Sequence, residues 1–372
     1  MEVYKSIKKI IDSFILKSYW LEFTSADIFY IANSNAKEYM SVFIDKFFGT
    51  SYGVEFFTNK DGFNYVHDIL SVENQELLSI CDCDSLCAVL VSKENLTELE
   101  KEYLKLNKTR IKEDNNLIIY RFKKGYSHEF ATYEELNLVL EILSFLNSMI
   151  ENEHDDLIKA FDNELSVVSF VNLNNYTYSN RYMPLPILER PYNKTKINID
   201  FVNEYQNKEL TSGECYVFTT YLPVIIAEND VRPILVYIYY QDLDKHLIRY
   251  IADRPKTYNK YIYGILDEAF SLFGLPYKIT FNSRELYYIL YKSLSKLNIE
   301  KEMSLKKVKI YKNLNALVSN LYSKTDDDKF PKEEVISLLN EIVKSATTII
   351  NEIDNDEYEY IDYDSNDSNL IS

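Results

Sequence analysis

Glycine is scarce in this chain of 372 residues, and the spacing of its seven glycines excludes the usual phosphate-binding loops. None of them forms the GxGxxG pattern of dinucleotide-binding proteins or the GxxxxGK pattern of P-loop NTPases. The GxSxG nucleophile elbow does not occur, and the four histidines stand apart without an HExxH pattern. The sequence therefore implies no cofactor and offers none of these familiar catalytic motifs.

Long apolar runs are also lacking. No stretch approaches the ~18 uninterrupted apolar residues of a membrane-spanning helix, and the first residues do not resemble a signal peptide. Hydrophobic residues nevertheless make up 46% of the chain, which is enough for a packed core. We expect a folded cytoplasmic protein of about two domains, at ~100–200 residues per domain.

Negative charge dominates, with a formal net charge of −17. Residues 325–372 hold 3 basic and 14 acidic side chains, whereas residues 221–324 hold 16 basic and 10 acidic side chains. We interpret the acidic end as a disordered solubilising tail rather than a nucleic-acid mimic. The basic block indicates a solvated lysine-rich surface, with local nucleic-acid binding as the alternative.

Three of the four cysteines cluster at Cys81, Cys83 and Cys87. Zinc sites usually present cysteines in two pairs, and no second pair follows. A strand over residues 78–91 would place all three on one face, so we favour buried core cysteines over a metal or redox site.

Hydrophobic periodicity predicts an α+β fold. Apolar residues at helical spacing predict a helix over 2–18, and Thr132 with Glu135 forms a capping-box signal for another. A hairpin is expected over 234–251, and a polar loop over 174–180. The predicted organisation is an N-terminal α+β domain (1–150), a connecting segment with a strand and a proline-rich linker (151–215), a C-terminal α+β domain (216–324), an amphipathic helix (325–353) and an acidic disordered tail (354–372).

Few side chains stand out as ligand contacts. Arg121 and Tyr126 lie at the end of a predicted strand, and Arg181 precedes the prolines, so these three are the candidate ligand contacts. Asp242 and Asp244 fall in the hairpin turn, where turn chemistry explains them better than metal or acid–base work. The candidate face for a protein partner or for self-association is the apolar stripe of the last helix: Val335, Leu338, Leu339, Ile342, Val343, Ile349 and Ile350.

Four short motifs follow one another in order: Gly49-x(3)-Gly53, Arg121-x(3)-Gly125-Tyr126, Arg232-Pro233-x-Leu235 and Phe273-Gly274-x-Pro276. The series resembles a group of uncharacterised bacterial two-domain proteins, in which both domains have unknown function. The resemblance implies no catalytic residue. This chain departs from it at Lys124, where the group commonly has proline.

The order hairpin, helix, strand, helix after residue 232 is also similar to the ribonuclease-H-like fold. That chemistry needs carboxylates on the first strand and after the later strand, where they hold two metal ions. Residues 234–240, taken as the first strand, contain none, and Phe281 is followed by Asn282. We therefore expect no active nuclease, and fold analogy alone assigns no function.

Three hypotheses remain. The favoured one is a non-enzymatic cytoplasmic binding or regulatory protein. The alternatives are an enzyme with an unrecognised site between the two domains, and a nucleic-acid accessory protein with a degenerate ribonuclease-H-like domain.

Overall fold

The structure of the protein is a computed structural model, and it confirms the α+β class. The residues that the structure describes are 2–24, 26–33, 37–47, 51–59, 62–66, 83–163, 165–172, 177–184, 196–211, 213–222, 224–253, 258–303 and 329–353. Several predicted features lie outside them: Cys81, most of the proline-rich linker and the acidic tail.

The described helices are α1 (Glu2–Leu16), α2 (Glu98–Leu106), α3 (Tyr133–Asp162), α4 (Ile199–Tyr205), α5 (Tyr258–Phe273), α6 (Arg284–Lys296) and α7 (Lys332–Ile353). The strands are β1 (Phe29–Asn33), β2 (Glu38–Phe47), β3 (Ser51–Phe57), β4 (Ser85–Val91), β5 (Asn116–Phe122), β6 (Glu129–Phe130), β7 (Ser166–Asn172), β8 (Thr177–Met183), β9 (Glu214–Tyr221), β10 (Ile225–Ile226), β11 (Ile234–Tyr240), β12 (Lys245–Ile251), β13 (Lys278–Phe281), β14 (Glu300–Met303) and β15 (Lys329–Phe330).

The N-terminal body is built on an eight-stranded sheet with the strand order β6-β5-β4-β3-β2-β1-β7-β8. Strands β1 and β7 pair in parallel, and the other neighbours are antiparallel. Helix α1 lies against α3, and its residues Tyr4, Ile7, Ile11 and Phe14 are fully buried in the core. Their 3–4 spacing is the reason that residues 2–16 fold as a helix against this sheet.

Helix α3 begins at the predicted capping box, where Thr132 and Glu135 bond reciprocally. It runs to Asp162, past the domain end expected near residue 150, because Leu157 and Ala160 continue its buried side. The predicted connecting segment thus supplies the end of α3 and strands β7 and β8 to the first sheet.

The polar loop expected over 174–180 is corrected in part, because residues from Thr177 onward form the edge strand β8. Glu153, at a kink in α3, provides hydrogen-bond acceptors for the polar residues of β8. Its Oε2 accepts hydrogen bonds from Asn180 Nδ2 at 2.7 Å and from Tyr182 Oη at 2.8 Å.

The second body is built on a five-stranded sheet with the order β12-β11-β9-β13-β14. Strands β9, β11 and β12 are antiparallel neighbours, which confirms the predicted hairpin, and β13 and β14 run parallel to β9. Helices α4, α5 and α6 share a core with residues from one face of this sheet. Gly274 follows α5 with φ +92°, a conformation that favours glycine.

Helix α7 packs against the opposite face of the five-stranded sheet. Val335 and Leu339 are buried there with Leu235 and Ile248, while Leu338 and Val343 are partly buried at its edge. The carboxylate of Glu228 accepts the Lys332 N–H at 2.9 Å and so caps the helix start. This part of the candidate partner face therefore docks on its own chain, whereas the side chains of Ile342, Ile349 and Ile350 lie outside those described.

Two backbone segments join the bodies. Arg232 N–H donates to Gly125 O and Ser127 N–H donates to Asp230 O, both at 2.9 Å, around an antiparallel bridge between Tyr126 and Val231. Two of the four motifs named above thus meet in space. Within the described residues, no helix is both long enough and apolar enough to cross a membrane.

We predict that α7 stabilises the fold. Leu339→Ala should lower the free energy of unfolding by about 2–4 kcal/mol, because it leaves a cavity at a fully buried position. Ser337→Ala, on the exposed side of the same helix, is the matched control. Urea denaturation measures both variants, and equal stability of Leu339→Ala and the wild type would contradict the docking of α7.

Candidate functional site

The place to examine for catalytic carboxylates is where β9 and β13 run side by side. The sequence-based choice of residues 234–240 as the first strand is wrong, because β9 precedes them in the same sheet and occupies its centre. Phe281 pairs with Val217 in the parallel register, so Asn282 lies beside Phe218. The patterning of residues 216–226 predicts a strand, which overlaps β9, but only the pairing with distant segments shows that β9 is central.

Asn282 links the two strands through its side chain. Its Oδ1 accepts the Thr219 N–H at 3.0 Å, and its Nδ2 donates to Thr219 O at 3.1 Å. The amide group thus replaces a backbone peptide in the ladder and extends the β9–β13 pairing beyond Phe281. Because the oxygen and the nitrogen of this side-chain amide are both hydrogen-bonded to Thr219, Asn282 is a structural link rather than a metal ligand.

Phe218 occupies the first-strand position next to this link. It is 2% exposed, and its ring centroid lies 6.3 Å from those of Tyr216 and Tyr237. Val335 and Leu339 of α7 belong to the same buried cluster. Helix α7 therefore covers with apolar side chains the position on β9 that lies beside Asn282. The carboxylate that β9 does carry, Glu214, lies at the opposite end of the strand, where Lys278 Nζ is 3.9 Å from it.

The nearest described carboxylate after Asn282 is Glu285, in the first turn of α6. Its Oε2 pairs with Lys124 Nζ at 2.6 Å, and the N–H of Lys124 donates to Asp84 Oδ1 at 2.7 Å. The ion pair connects the two bodies, whereas the hydrogen bond to Asp84 lies within the first body. Glu285 is thereby held at the junction between the bodies by an ion pair.

The side chains of Asp242 and Asp244 accept hydrogen bonds at the β11–β12 turn, as the sequence indicated. Asp242 Oδ2 accepts the Glu214 N–H at 3.3 Å, and Asp244 adopts a left-handed backbone with φ 48° while accepting from Tyr239 Oη. Burial, followed by the charge of nearby Glu214, raises the pKa of Tyr216. The Tyr216 hydroxyl therefore stays protonated at neutral pH and donates to Gln241 Oε1 at 2.9 Å.

The candidate ligand contacts Arg121 and Tyr126 lie at the same end of β5. Arg121 forms ion pairs with Glu129 and Glu135, which hold its guanidinium beside the start of α3. Tyr126 lies in the junction between the bodies, with Lys123 Nζ 4.6 Å from its ring centroid.

Arg181 is far from these two residues. It lies on the edge strand β8, and five strands separate β8 from β5 in the sheet. At about 4.8 Å between neighbouring strands, that distance is roughly 25–30 Å. The structure does not bring the three candidates into one site.

The described cysteines are core residues. Cys83, Cys87 and Cys215 are free thiols with 0–1% exposure. Burial raises the pKa of Cys87 and Cys215, so both thiols are protonated and unreactive at neutral pH. Among the described residues, no group of three or more His, Cys, Asp or Glu side chains is arranged to hold a metal ion.

Comparison with protein families gives one result for the N-terminal body. Residues 3–168 match the model of a domain of unknown function (DUF7309). The match confirms the resemblance to uncharacterised proteins, and it ends in β7, so it includes the part of α3 beyond residue 150. Comparison with curated proteins gives no match.

Solved structures give only distant similarities. The dimeric HTLV-2 integrase catalytic core domain in complex with magnesium is 14% identical, with a TM-score of 0.25, over 38% of this chain and 86% of that chain. A simian T-cell lymphotropic virus intasome in complex with a PP2A regulatory subunit is 11% identical, with a TM-score of 0.25, over 38% of this chain and 50% of that chain. Similarities this weak carry no argument about fold or function.

We predict that Asn282→Asp destabilises the second body by about 1–3 kcal/mol, because the carboxylate cannot donate to Thr219 O and repels it. Below about pH 4 the new carboxyl group regains a proton, and with it a donor, so the difference from the wild type should shrink. Denaturation at several pH values measures this. Asn95→Asp, at an exposed position, is the control, and an equal loss in both variants would contradict the proposed link.

Proposed function

We propose that this chain is a non-enzymatic binding or regulatory protein of the cytoplasm. One observation carries the proposal: the two strand positions at which a ribonuclease-H-like domain needs carboxylates hold Phe218 and Asn282 instead. Phe218 is buried under α7, and the side chain of Asn282 is bonded to Thr219 in both directions.

The strand order of the second body is the reason for comparing Phe218 and Asn282 with the metal-binding positions of ribonuclease-H-like domains. Three antiparallel strands in the order β12-β11-β9, followed by β13 and β14 parallel to β9, resemble the strand order of ribonuclease-H-like domains, which supports the comparison of these positions. In that arrangement the carboxylates of the first and fourth strands bind the metal ions that activate water. The phenyl ring of Phe218 and the hydrogen-bonded amide of Asn282 supply no anionic oxygen that could bind a metal ion.

The same observations favour a binding role over the alternative of an inter-domain enzyme. Two ion pairs lie at the junction, Lys124 with Glu285 and Lys329 with Asp230. A catalytic cleft needs convergent polar groups that remain available to a substrate.

For the contact surface we propose the second half of α7. The described contacts of this helix with its own sheet come from residues 335–343, whereas the helix continues to Ile353. Its apolar stripe also continues, with Ile349 and Ile350. A second copy of the chain is the first partner to test.

A nuclease assay tests the proposal directly. The full chain with Mg²⁺ or Mn²⁺ should not cleave labelled single-stranded DNA, duplex DNA, RNA or an RNA–DNA hybrid, because no carboxylate pair holds the metal. Metal-dependent cleavage that copurifies with the chain would contradict the proposal. Loss of that cleavage in Asn282→Ala would locate it at the position described above.

Native mass spectrometry tests the contact surface. We expect a mass that is a multiple of the single chain, and we expect the double substitution Ile349→Glu and Ile350→Glu to return it to one chain. Thr348→Glu, which adds the same charge off the apolar stripe, should leave the multiple intact. A single-chain mass for the wild type would contradict self-association through α7.

A nucleic-acid accessory role is the second candidate, and the strand order of the second body is the observation that favours it. In that case the full chain should retard nucleic-acid probes at ~50 mM salt, and the binding should weaken steeply as salt rises. The absence of retardation at that salt concentration would remove this candidate.

A further inference from the structure

A small ladder of backbone pairings connects the first body to the start of α7. Residues 125–127 of the first body, residues 225–232 of the second body and β15 lie side by side in it. Val231 stands in the middle, with an antiparallel bridge to Tyr126 on one side and to Ile226 on the other. The sequence analysis named parts of the first two segments as motifs, but not their connection to α7.

Backbone hydrogen bonds reach the second of these segments from both sides. On the side of the first body, Ser127 N–H donates to Asp230 O at 2.9 Å. On the side of α7, Ala227 N–H donates to Phe330 O at 2.9 Å, and β10 pairs with β15 in parallel. The first body and the entry to α7 are therefore bonded to opposite sides of the same short segment.

Asp230 contacts each neighbour in this ladder. Its O accepts the Ser127 N–H, its own N–H donates to Ile226 O at 2.9 Å, and its carboxylate pairs with Lys329. Its backbone has φ 55°, a left-handed conformation that is costly for a residue other than glycine and persists where the surrounding structure holds it. The shape of this turn therefore depends on the neighbours on both sides.

The start of α7 is both bonded to this turn and packed on it. The carboxylate of Glu228 accepts the Lys332 N–H at 2.9 Å. Ile226 is fully buried in one cluster with Leu339 of α7, and Phe330 packs against that cluster. Displacement of α7 would uncover Ile226 and remove the cap and the β15 pairing together.

Each pairing in the ladder is too short to be stable alone. The β10–β15 pair has two residues on each strand, and the two antiparallel contacts are single bridges. Even a complete two-stranded hairpin is marginal in water, so pairings this short form and open together. The ion pair of Lys124 with Glu285 also joins the bodies, but it is partly exposed, and such pairs contribute little.

We propose that α7 is a conformational clamp: while it is docked, the ladder holds the two bodies together, and its displacement loosens the contact between them. A partner that takes the apolar stripe of α7 away from the sheet would thereby change how the bodies are arranged. The partner comes from the proposed function, whereas the coupling is a property of the free chain. It is tested without a partner, so its failure is distinct from a failure of the proposed function.

Hydrogen exchange of single amides in the full chain, resolved by fragment-ion mass spectrometry, measures the coupling. Leu339→Ala weakens the docking of α7 at a position outside the ladder. We expect exchange of the Ser127 and Arg232 N–H groups to accelerate about tenfold or more, because the ladder opens when α7 leaves. The Ala131 N–H, which donates to Ile119 O at 2.9 Å within the first body, should keep its rate.

Leu290→Ala is the matched control. Leu290 is also fully buried in the second body, but it lies on α6, at the opposite face of the sheet from α7. This variant destabilises the second body without touching α7, so the exchange rate of the Ser127 N–H should not change. Equal acceleration in both variants, or no acceleration in Leu339→Ala, would overturn the proposal.

A second variant approaches the coupling from the first body and leaves α7 unaltered. Gly125 has φ +72° and its O accepts the Arg232 N–H, so Gly125→Ala strains the first segment of the ladder. Because coupling is reciprocal, the Lys332 N–H at the start of α7 should exchange about threefold faster or more. The Gly274 N–H, which donates to Phe270 O at 3.0 Å, should keep its rate. An unchanged Lys332 rate would show two independent contacts and would overturn the clamp.

Discussion

The packing of α7 on Phe218 is the constraint on which the second body depends. Phe218 lies on the central strand, so its ring must be covered, and Val335 and Leu339 provide that cover. A carboxylate at the same position would be removed from water without a partner, at a large cost in free energy. An apolar cover and a metal-binding site therefore cannot both exist at this position. The side chains present, Phe218, Val335 and Leu339, form the apolar cover.

The junction between the bodies explains a departure from the resembling proteins. The resemblance leads us to expect proline at Lys124, and proline lacks the N–H that donates here to Asp84. The side chain of Lys124 adds an ion pair to Glu285, at the start of α6. In this chain Lys124 thus provides a hydrogen bond within the first body and an ion pair to the second body, neither of which a proline can provide.

The sequence predicted the features that depend on nearby residues. The buried side of α1, the capping box at Thr132 and the hairpin formed by β11 and β12 follow from spacing and local hydrogen bonding. Strand order depends instead on pairing between distant segments, so the addition of β7 and β8 to the first sheet and the central place of β9 were not predictable. For the same reason the ladder between the first body and α7 was missed, since it joins segments that are distant in the sequence.

The central claim is that the Phe218–Asn282 position is closed to metal ions. The side-chain amide resonance of Asn282, identified by its absence in Asn282→Asp, reports on this position by NMR. Titration with paramagnetic Mn²⁺ should leave this resonance as sharp as those of other buried amides, because the amide is bonded to Thr219 on both sides. Selective broadening of the Asn282 resonance at low Mn²⁺ concentration would show that a metal binds there, and would contradict the account.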